Sequence, residues 1–324
     1  MKLHENAEDF QALIAFASQK LDIADVLIEK DYWVTLALKN LSNSSYAKKI
    51  VFKGGTSLSK AHKIIQRFSE DIDLAVIVDD KSTPSAIRTQ LGNTEDACSK
   101  GFVEVDIQGK TSKGSKYRRT FWSFPKNDLS GEYGDAGEYI LIEVNSFTKP
   151  EPHENKQIES LIAEYLRLDK KQDEITRYDL EPFEIAVLSP ERTIMEKISA
   201  ITKGCYTSRD EKYEVLSKNI RHFYDLVKLQ DYLGTSFFSD TSKLKILLER
   251  VKEDDKKMDK DGEWTKKAYQ EAPIFQNFDA VWKIISPAYT GAFKSMLYGD
   301  KQMPSGKNIK DMILLVQKTL EKIE

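Results

Sequence analysis

Two aspartates one residue apart, Asp71-Ile72-Asp73, open an apolar run that continues Leu-Ala-Val-Ile-Val. Strand side chains alternate faces, so Asp71 and Asp73 project to one side while Ile72 and Leu74 enter a core. Carboxylates held side by side repel, and a bound divalent cation is the usual reason to tolerate them. Upstream, Ile50, Val51 and Phe52 read as a short strand leading straight into Gly54-Gly55-Thr56-Ser57. Glycines between a strand and a helix start let the backbone approach an anion closely, and the N–H groups there, with two hydroxyls, make a phosphate-sized site. The helix that follows is expected to carry Leu58, Ala61, Ile64 and Ile65 on its apolar face. Either half alone is common, since Gly-Gly is often only a turn and Asp-x-Asp often a solvated edge. One short unit supplying both a phosphate cradle and a metal pair is far more specific.

A third acid lies in the stretch Glu-Tyr-Ile-Leu-Ile-Glu-Val-Asn-Ser-Phe, residues 138–147. There Tyr139, Leu141 and Glu143 share one face, and Ile140, Ile142 and Val144 the other. An acid inside so apolar a strand is costly to bury ionised without a cation or a donor. Between the two acidic strands in sequence, a glycine-bearing loop enters another strand. It carries Lys110, Lys113, Lys116, Arg118 and Arg119, interleaved with Tyr117, Phe121 and Trp122. Basic side chains can contact phosphates while aromatics stack on bases, although an ordinary surface hairpin has the same composition.

The elements that must position these residues are legible in outline. With 324 residues, of which 40% are hydrophobic and 31% charged, the chain is long enough for two ordinary domains and reads as soluble and globular. No stretch approaches a transmembrane run, the N-terminus turns polar and acidic at once, and two cysteines are too few for a disulfide framework. These features fit the cytoplasm and no membrane partner. A net charge of −3 means that any nucleic-acid contact must come from a local patch. Residues from about Glu5 to Asn43 read as two helices, the second carrying Glu29-Lys30-Asp31 as a solvated turn beside Tyr32-Trp33. Ser82 to Lys100 reads as a helix and Phe102 to Ile107 as a strand. From Asn155 helices dominate, with Ile158 to Leu166 helical and Leu180 to Leu188 a last strand. Ser189-Pro190-Glu191 is a helix start with an N-cap, a first-position proline and an acid in the first turn. Lys197 lies beside that helix's apolar stripe, where lysines usually snorkel, and Asp225 is spaced for a surface ion pair with Arg221. Leu244 to Glu324 reads as helices joined by charged loops, without a motif.

Gly54-Gly-Thr-Ser-Leu58, followed by Arg67-Phe-Ser-Glu-Asp-Ile-Asp73, resembles the signature of the DNA-polymerase-β-like nucleotidyltransferases. Within them it is similar to the AbiEii/AbiGii toxin group of type IV toxin–antitoxin and abortive-infection systems. Further along, Ser189-Pro-Glu with Lys197 on the next turns, and Arg221-His-Phe-Tyr-Asp225-Leu, match that group's later motifs, and a Glu-Lys-Asp-Tyr segment like Glu29 to Tyr32 precedes its core. The resemblance covers roughly Glu29 to Leu233. It implies an α+β fold: a small mixed sheet with flanking helices in residues 1–150, and a mainly helical domain, 151–324, closing a nucleotide cleft. It also implies nucleotidyl transfer from a nucleoside triphosphate (NTP) to an acceptor hydroxyl. Asp71, Asp73 and Glu143 would hold two Mg²⁺ ions. Gly54, Gly55, Thr56, Ser57 and Ser69 would cradle phosphates, Lys197 would neutralise the triphosphate, Asp225 would be a further catalytic acid, and Lys30 would lie near the active cleft. The acceptor would be RNA, tRNA in particular, met by Lys113, Lys116, Arg118 and Arg119, and an antitoxin would be the partner. A protein or small-molecule acceptor, or a nucleotide-binding module without turnover, remains open on the sequence.

Overall fold

The structure, a computed structural model, describes residues 1–69, 71–79, 81–125, 137–208, 212–298 and 303–324. Glu70 of the acidic motif lies outside the described residues. The chain divides into two compact units, the first comprising Met1–Ser146, Pro152–Leu188 and Tyr298–Asp300, the second Phe147–Glu151, Ser189–Leu297 and Lys301–Glu324.

The first unit is built on an eight-stranded mixed sheet. Its strands are β1 (Ile50–Lys53), β2 (Ile72–Val76), β3 (Val103–Val105), β4 (Ser112–Lys113), β5 (Tyr117–Ser123), β6 (Ile140–Asn145), β7 (His153–Ile158) and β8 (Phe183–Leu188). They lie in the order β3-β5-β6-β2-β1-β8-β7, with β4 beside β5. β2 runs antiparallel to β1 and parallel to β6. Alternation fixes which way each strand faces: Ile50 and Phe52, then Ile72, Leu74 and Val76, then Ile140, Ile142 and Val144 are all fully buried in one core cluster. Helices α1 (Ala7–Leu21), α2 (Asp25–Ser42) and α4 (Pro84–Cys98) contribute Leu13, Ile14, Trp33, Leu38 and Leu91 to the same cluster. The opposite face is therefore the one that presents the acids.

This unit runs past the expected boundary at residue 150. β8 pairs parallel with β1 inside the sheet and β7 pairs antiparallel with β8, so both strands belong to it, as do α5 (Leu161–Leu168) and α6 (Gln172–Arg177). β7 was not expected at all. Helix α3 (Gly54–Lys60) is shorter than expected, and Ala61, Ile64 and Ile65 lie beyond it. Lys63 adopts φ 54°, which an L-residue cannot repeat along a right-handed helix, so the apolar spacing does not extend it.

A second correction concerns Glu29-Lys30-Asp31. In place of a solvated turn, Glu29 and Lys30 are fully buried and Asp31 nearly so. Lys30 Nζ donates to the Gly137 carbonyl at 2.8 Å. Asp31 accepts the Leu161 N–H at 2.7 Å and pairs with buried Lys60. Burial pulls the Lys60 pKa down and Asp31 opposes it. Partners supplied from far along the chain make the burial tolerable.

The second unit is helical: α7 (Pro190–Thr207), α8 (Glu214–Lys218), α9 (Arg221–Phe237), α10 (Thr241–Met258), α11 (Pro273–Gln276), α12 (Phe278–Thr290) and α13 (Gly306–Ile323). The start of α7 is as expected, with the Ser189 hydroxyl accepting the Arg192 N–H at 3.2 Å. Among the described residues no helix is long and apolar enough to cross a membrane.

Candidate active site

One row of residues crosses four strands on the face away from the core. Lys53 on β1 is the Cα partner of Asp73 on β2, Asp73 of Glu143 on β6, and Glu143 of Arg119 on β5. Paired residues project to the same side of a sheet about 5 Å apart, so the row reads cation, acid, acid, cation. Asp73 and Glu143 are thus brought together. Asp71 stands one residue before β2 and is half-buried. Tyr117, two residues before Arg119 and on the same face, donates its hydroxyl to Glu143 Oε1 at 2.8 Å. Burial first, then the Glu143 charge, raises the phenol's pKa far enough that it stays a donor. Arg119 Nε stands 3.2 Å from the same Oε1, but without hydrogen-bond alignment.

The glycine turn abuts this row. Gly54 has φ +80°, and a Cβ there would fall 2.0 Å from Asp73 Oδ2. Only glycine lets the chain leave β1 at this angle with the carboxylate against it. At Gly55 a Cβ would meet Arg67 Nη2 at 2.6 Å and Ser69 Oγ at 2.8 Å. The Thr56 hydroxyl donates to Ser69 Oγ at 3.0 Å, so Gly55, Thr56 and Ser69 lie together. Ser57 is fully buried and its hydroxyl donates to the Gly54 carbonyl at 2.9 Å, which ties the turn from inside.

Carboxylate oxygens beside a close-approach turn suit a hard cation such as Mg²⁺, which uses one or two carboxylates and completes its shell with water and substrate phosphate. Among the described residues no three acids, imidazoles or thiols form a ready-made cage, and Glu143 Oε1 already has two partners. The donor set fits a cation that takes two carboxylates and completes its shell with water or phosphate.

Lys197 and Asp225 meet in the second unit. Neither is a surface group: Lys197 on α7 is 7% exposed, Asp225 on α9 fully buried, and their charged atoms are 2.9 Å apart. Asp225, spaced on its helix for an ion pair with Arg221, is a buried counter-ion of Lys197. His222, one turn before Asp225, places Nδ1 3.3 Å from Lys197 Nζ. Burial and the Lys197 charge push the imidazole down to about 3. An ammonium only donates, so Nδ1 accepts and the ring proton sits on Nε2. Sequence reasoning missed His222, although its place three residues before Asp225 sets both on one helix face.

The basic segment is not one patch. Arg118 and Arg119 are neighbours in a strand and face opposite ways. Arg118 pairs with Glu95 of α4, which is 1% exposed, on the core side, while Arg119 joins the acid row. Lys113 pairs with Glu104 at 2.5 Å, and Lys116 is exposed. Tyr117 and Arg119 were missed as partners of Glu143; their odd spacing from Arg118 was the available signal. A cavity of about 420 Å³ in the first unit reaches Arg67 and Ser69 behind the glycine turn. Its Lys60, Lys63 and Arg167 are paired with Asp31, Glu164 and Glu159.

The family model described as nucleotidyl transferase AbiEii toxin, type IV TA system, matches residues 36–311. The chain belongs to this family. It is a nucleotidyltransferase of the AbiEii toxin group, and its mixed sheet is the expected fold class. No curated protein sequence matches it. Among solved structures it is similar to a candidate nucleotidyltransferase from H. pylori, at 17% identity, TM-score 0.48, and coverage of 93% of this chain and 99% of that one. It is also similar to MenT4, a nucleotidyltransferase toxin from Mycobacterium tuberculosis, at 12% identity, TM-score 0.47, and coverage of 97% and 99%. For an AbiEii nucleotidyltransferase, the acid row and the glycine turn are the candidate reaction centre.

Proposed function

We propose that this AbiEii-family chain moves a nucleoside monophosphate from an NTP to the terminal hydroxyl of an RNA, tRNA in particular, as the toxin paired with an antitoxin. The observation that carries the reading is Gly54 packed against Asp73 with Glu143 alongside, a phosphate-sized turn touching paired acids. Backbone N–H groups at Gly54 and Gly55, with Thr56 and Ser69 behind them, would bind phosphate oxygens and hold the α-phosphate for in-line attack. Mg²⁺ held by Asp73 and Glu143, with Asp71 as a further ligand and two ions in all, would activate the acceptor hydroxyl and offset charge on the leaving pyrophosphate. Tyr117 orients Glu143, and Ser57 braces the turn. Lys197 is carried over from the family's motif as a cation for the triphosphate, and Asp225 with His222 would set its orientation.

The acceptor is tested by incubating the protein with each α-labelled NTP, Mg²⁺ and a cell extract, then separating RNA, protein and small molecules. Label in the RNA fraction, sensitive to removal of the terminal hydroxyl, is the expected result. Label confined to protein or to small molecules would move the acceptor to that class. No label in any fraction would leave a nucleotide-binding module.

A further inference from the structure

We propose that Arg119 is an exchangeable counter-ion of the reaction centre, balancing Glu143 while no divalent cation is bound and yielding the carboxylate when one arrives, with Tyr117 keeping Glu143 aimed throughout. The inference rests on the reading that Asp73 and Glu143 hold the metal, and it adds what the cation on the neighbouring strand does.

The two partners of Glu143 differ in kind. Tyr117 makes an aligned hydrogen bond of 2.8 Å to Oε1. Arg119 approaches that same oxygen at 3.2 Å with its Nε out of hydrogen-bond alignment, so charge rather than a directed bond holds it there. The Arg119 side chain is 38% exposed, and its guanidinium lies 5.7 Å from the Phe121 ring centre. The Phe121 face is a contact that does not depend on the carboxylate, so Arg119 keeps a partner when Glu143 is drawn to a metal. Two adjacent acids repel, and the row of Lys53, Asp73, Glu143 and Arg119 neutralises them with side chains from the flanking strands. A divalent cation entering between Asp73 and Glu143 supplies the charge that Arg119 had supplied, and repels Arg119. The two therefore compete, and the competition keeps metal affinity low until a triphosphate adds its own negative charge.

The test is Mn²⁺ binding to the nucleotide-free full chain, read from loss of the free-ion electron paramagnetic resonance signal. Removing one positive charge beside a dication at a partly exposed site should tighten binding about fivefold to tenfold in Arg119→Gln, a gain that shrinks as salt rises. Arg119→Met, which keeps an apolar stem over Phe121, repeats the measurement independently of how glutamine packs. Arg119→Lys should stay within about twofold of wild type, and Tyr117→Phe should bind a few-fold more weakly. If neither neutral variant binds Mn²⁺ more tightly, or if Arg119→Lys gains as much as they do, the counter-ion role is overturned. Asp73→Asn separates the two levels of the argument. If it abolishes Mn²⁺ binding while the Arg119 variants gain nothing, only the counter-ion role fails. If Asp73→Asn binds like wild type, the metal is not at this pair and the underlying reading fails with it.

Discussion

Replacing Gly54 by alanine is the sharpest single-atom perturbation of the proposed centre. The added Cβ faces two separate penalties. An L-residue at φ +80° is strained by about 1–2 kcal/mol. The same carbon would sit 2.0 Å from Asp73 Oδ2 and 2.9 Å from Cγ, so the carboxylate must move, at a further ~1–3 kcal/mol for overpacking. Together these amount to about 2–5 kcal/mol, and at roughly 2–4 °C per kcal/mol the melting temperature should fall by at least about 4 °C. Displacing Asp73 by an ångström should reduce nucleotidyl transfer about 100-fold or more. The assay is label transfer from an α-labelled NTP beside a thermal melt. The clash is isolated by repeating Gly54→Ala in an Asp73→Ala background. There only the backbone strain and a 3.1 Å approach to the residue-73 Cβ remain, so the stability loss should shrink by about 1 kcal/mol or more. Wild-type transfer and melting in Gly54→Ala would refute the packing of the turn on Asp73. Equal stability losses in both backgrounds would leave the strain and remove the clash.

Three further outcomes follow from the buried charges. Lys197→Ala should raise the apparent KM for nucleotide and lower kcat, and should also destabilise the protein by ~3–5 kcal/mol because buried Asp225 loses its counter-ion; unchanged kinetics and melting would contradict the pairing. His222, facing Lys197, Arg221 and Asp225, is pushed down to about 3, so below pH 6.5 the unfolded chain takes up a proton that the folded one refuses. Stability from this group is complete above pH 6.5 and falls toward pH 3 by up to about 1.4 kcal/mol per unit, so urea midpoints at pH 7 and pH 5 should differ less in His222→Asn than in wild type. Arg118→Glu should cost ~3–5 kcal/mol by burying a second acid beside Glu95, while exposed Lys116→Glu stays within about 0.5 kcal/mol. Thermal melts decide between these, and comparable losses would mean that Arg118 is not committed to Glu95.

How much of this was legible depended on where each signal lives. The Asp73 and Glu143 placement follows from period-two alternation within single strands, and Gly54 is the one residue type that a positive φ beside a carboxylate admits, so both could be read locally. β7 could not. Its sequence, His-Glu-Asn-Lys-Gln-Ile, ends in a single buried apolar residue on an edge strand whose one neighbour is β8, so no alternation marks it. The buried trio Glu29-Lys30-Asp31 looked solvated because its partners, Gly137, Lys60 and Leu161, are distant in sequence. The opposite facing of Arg118 and Arg119 was available from parity and was overridden by reading the basic residues as one cluster. Lys197 and Asp225 were found through the family's motifs. Their mutual burial depends on helix packing, which spacing along one helix does not encode.

The central claim is nucleotidyl transfer at the face carrying Asp73 and Glu143. It is tested most directly by supplying the protein with Mg²⁺, RNA and one NTP labelled in turn at the α- and γ-phosphates. The account predicts that α-label enters the acceptor, that γ-label is released as pyrophosphate in equal amount, and that folded Asp73→Asn does neither. Transfer of γ-label to the acceptor, or undiminished α-label transfer by Asp73→Asn, would contradict it.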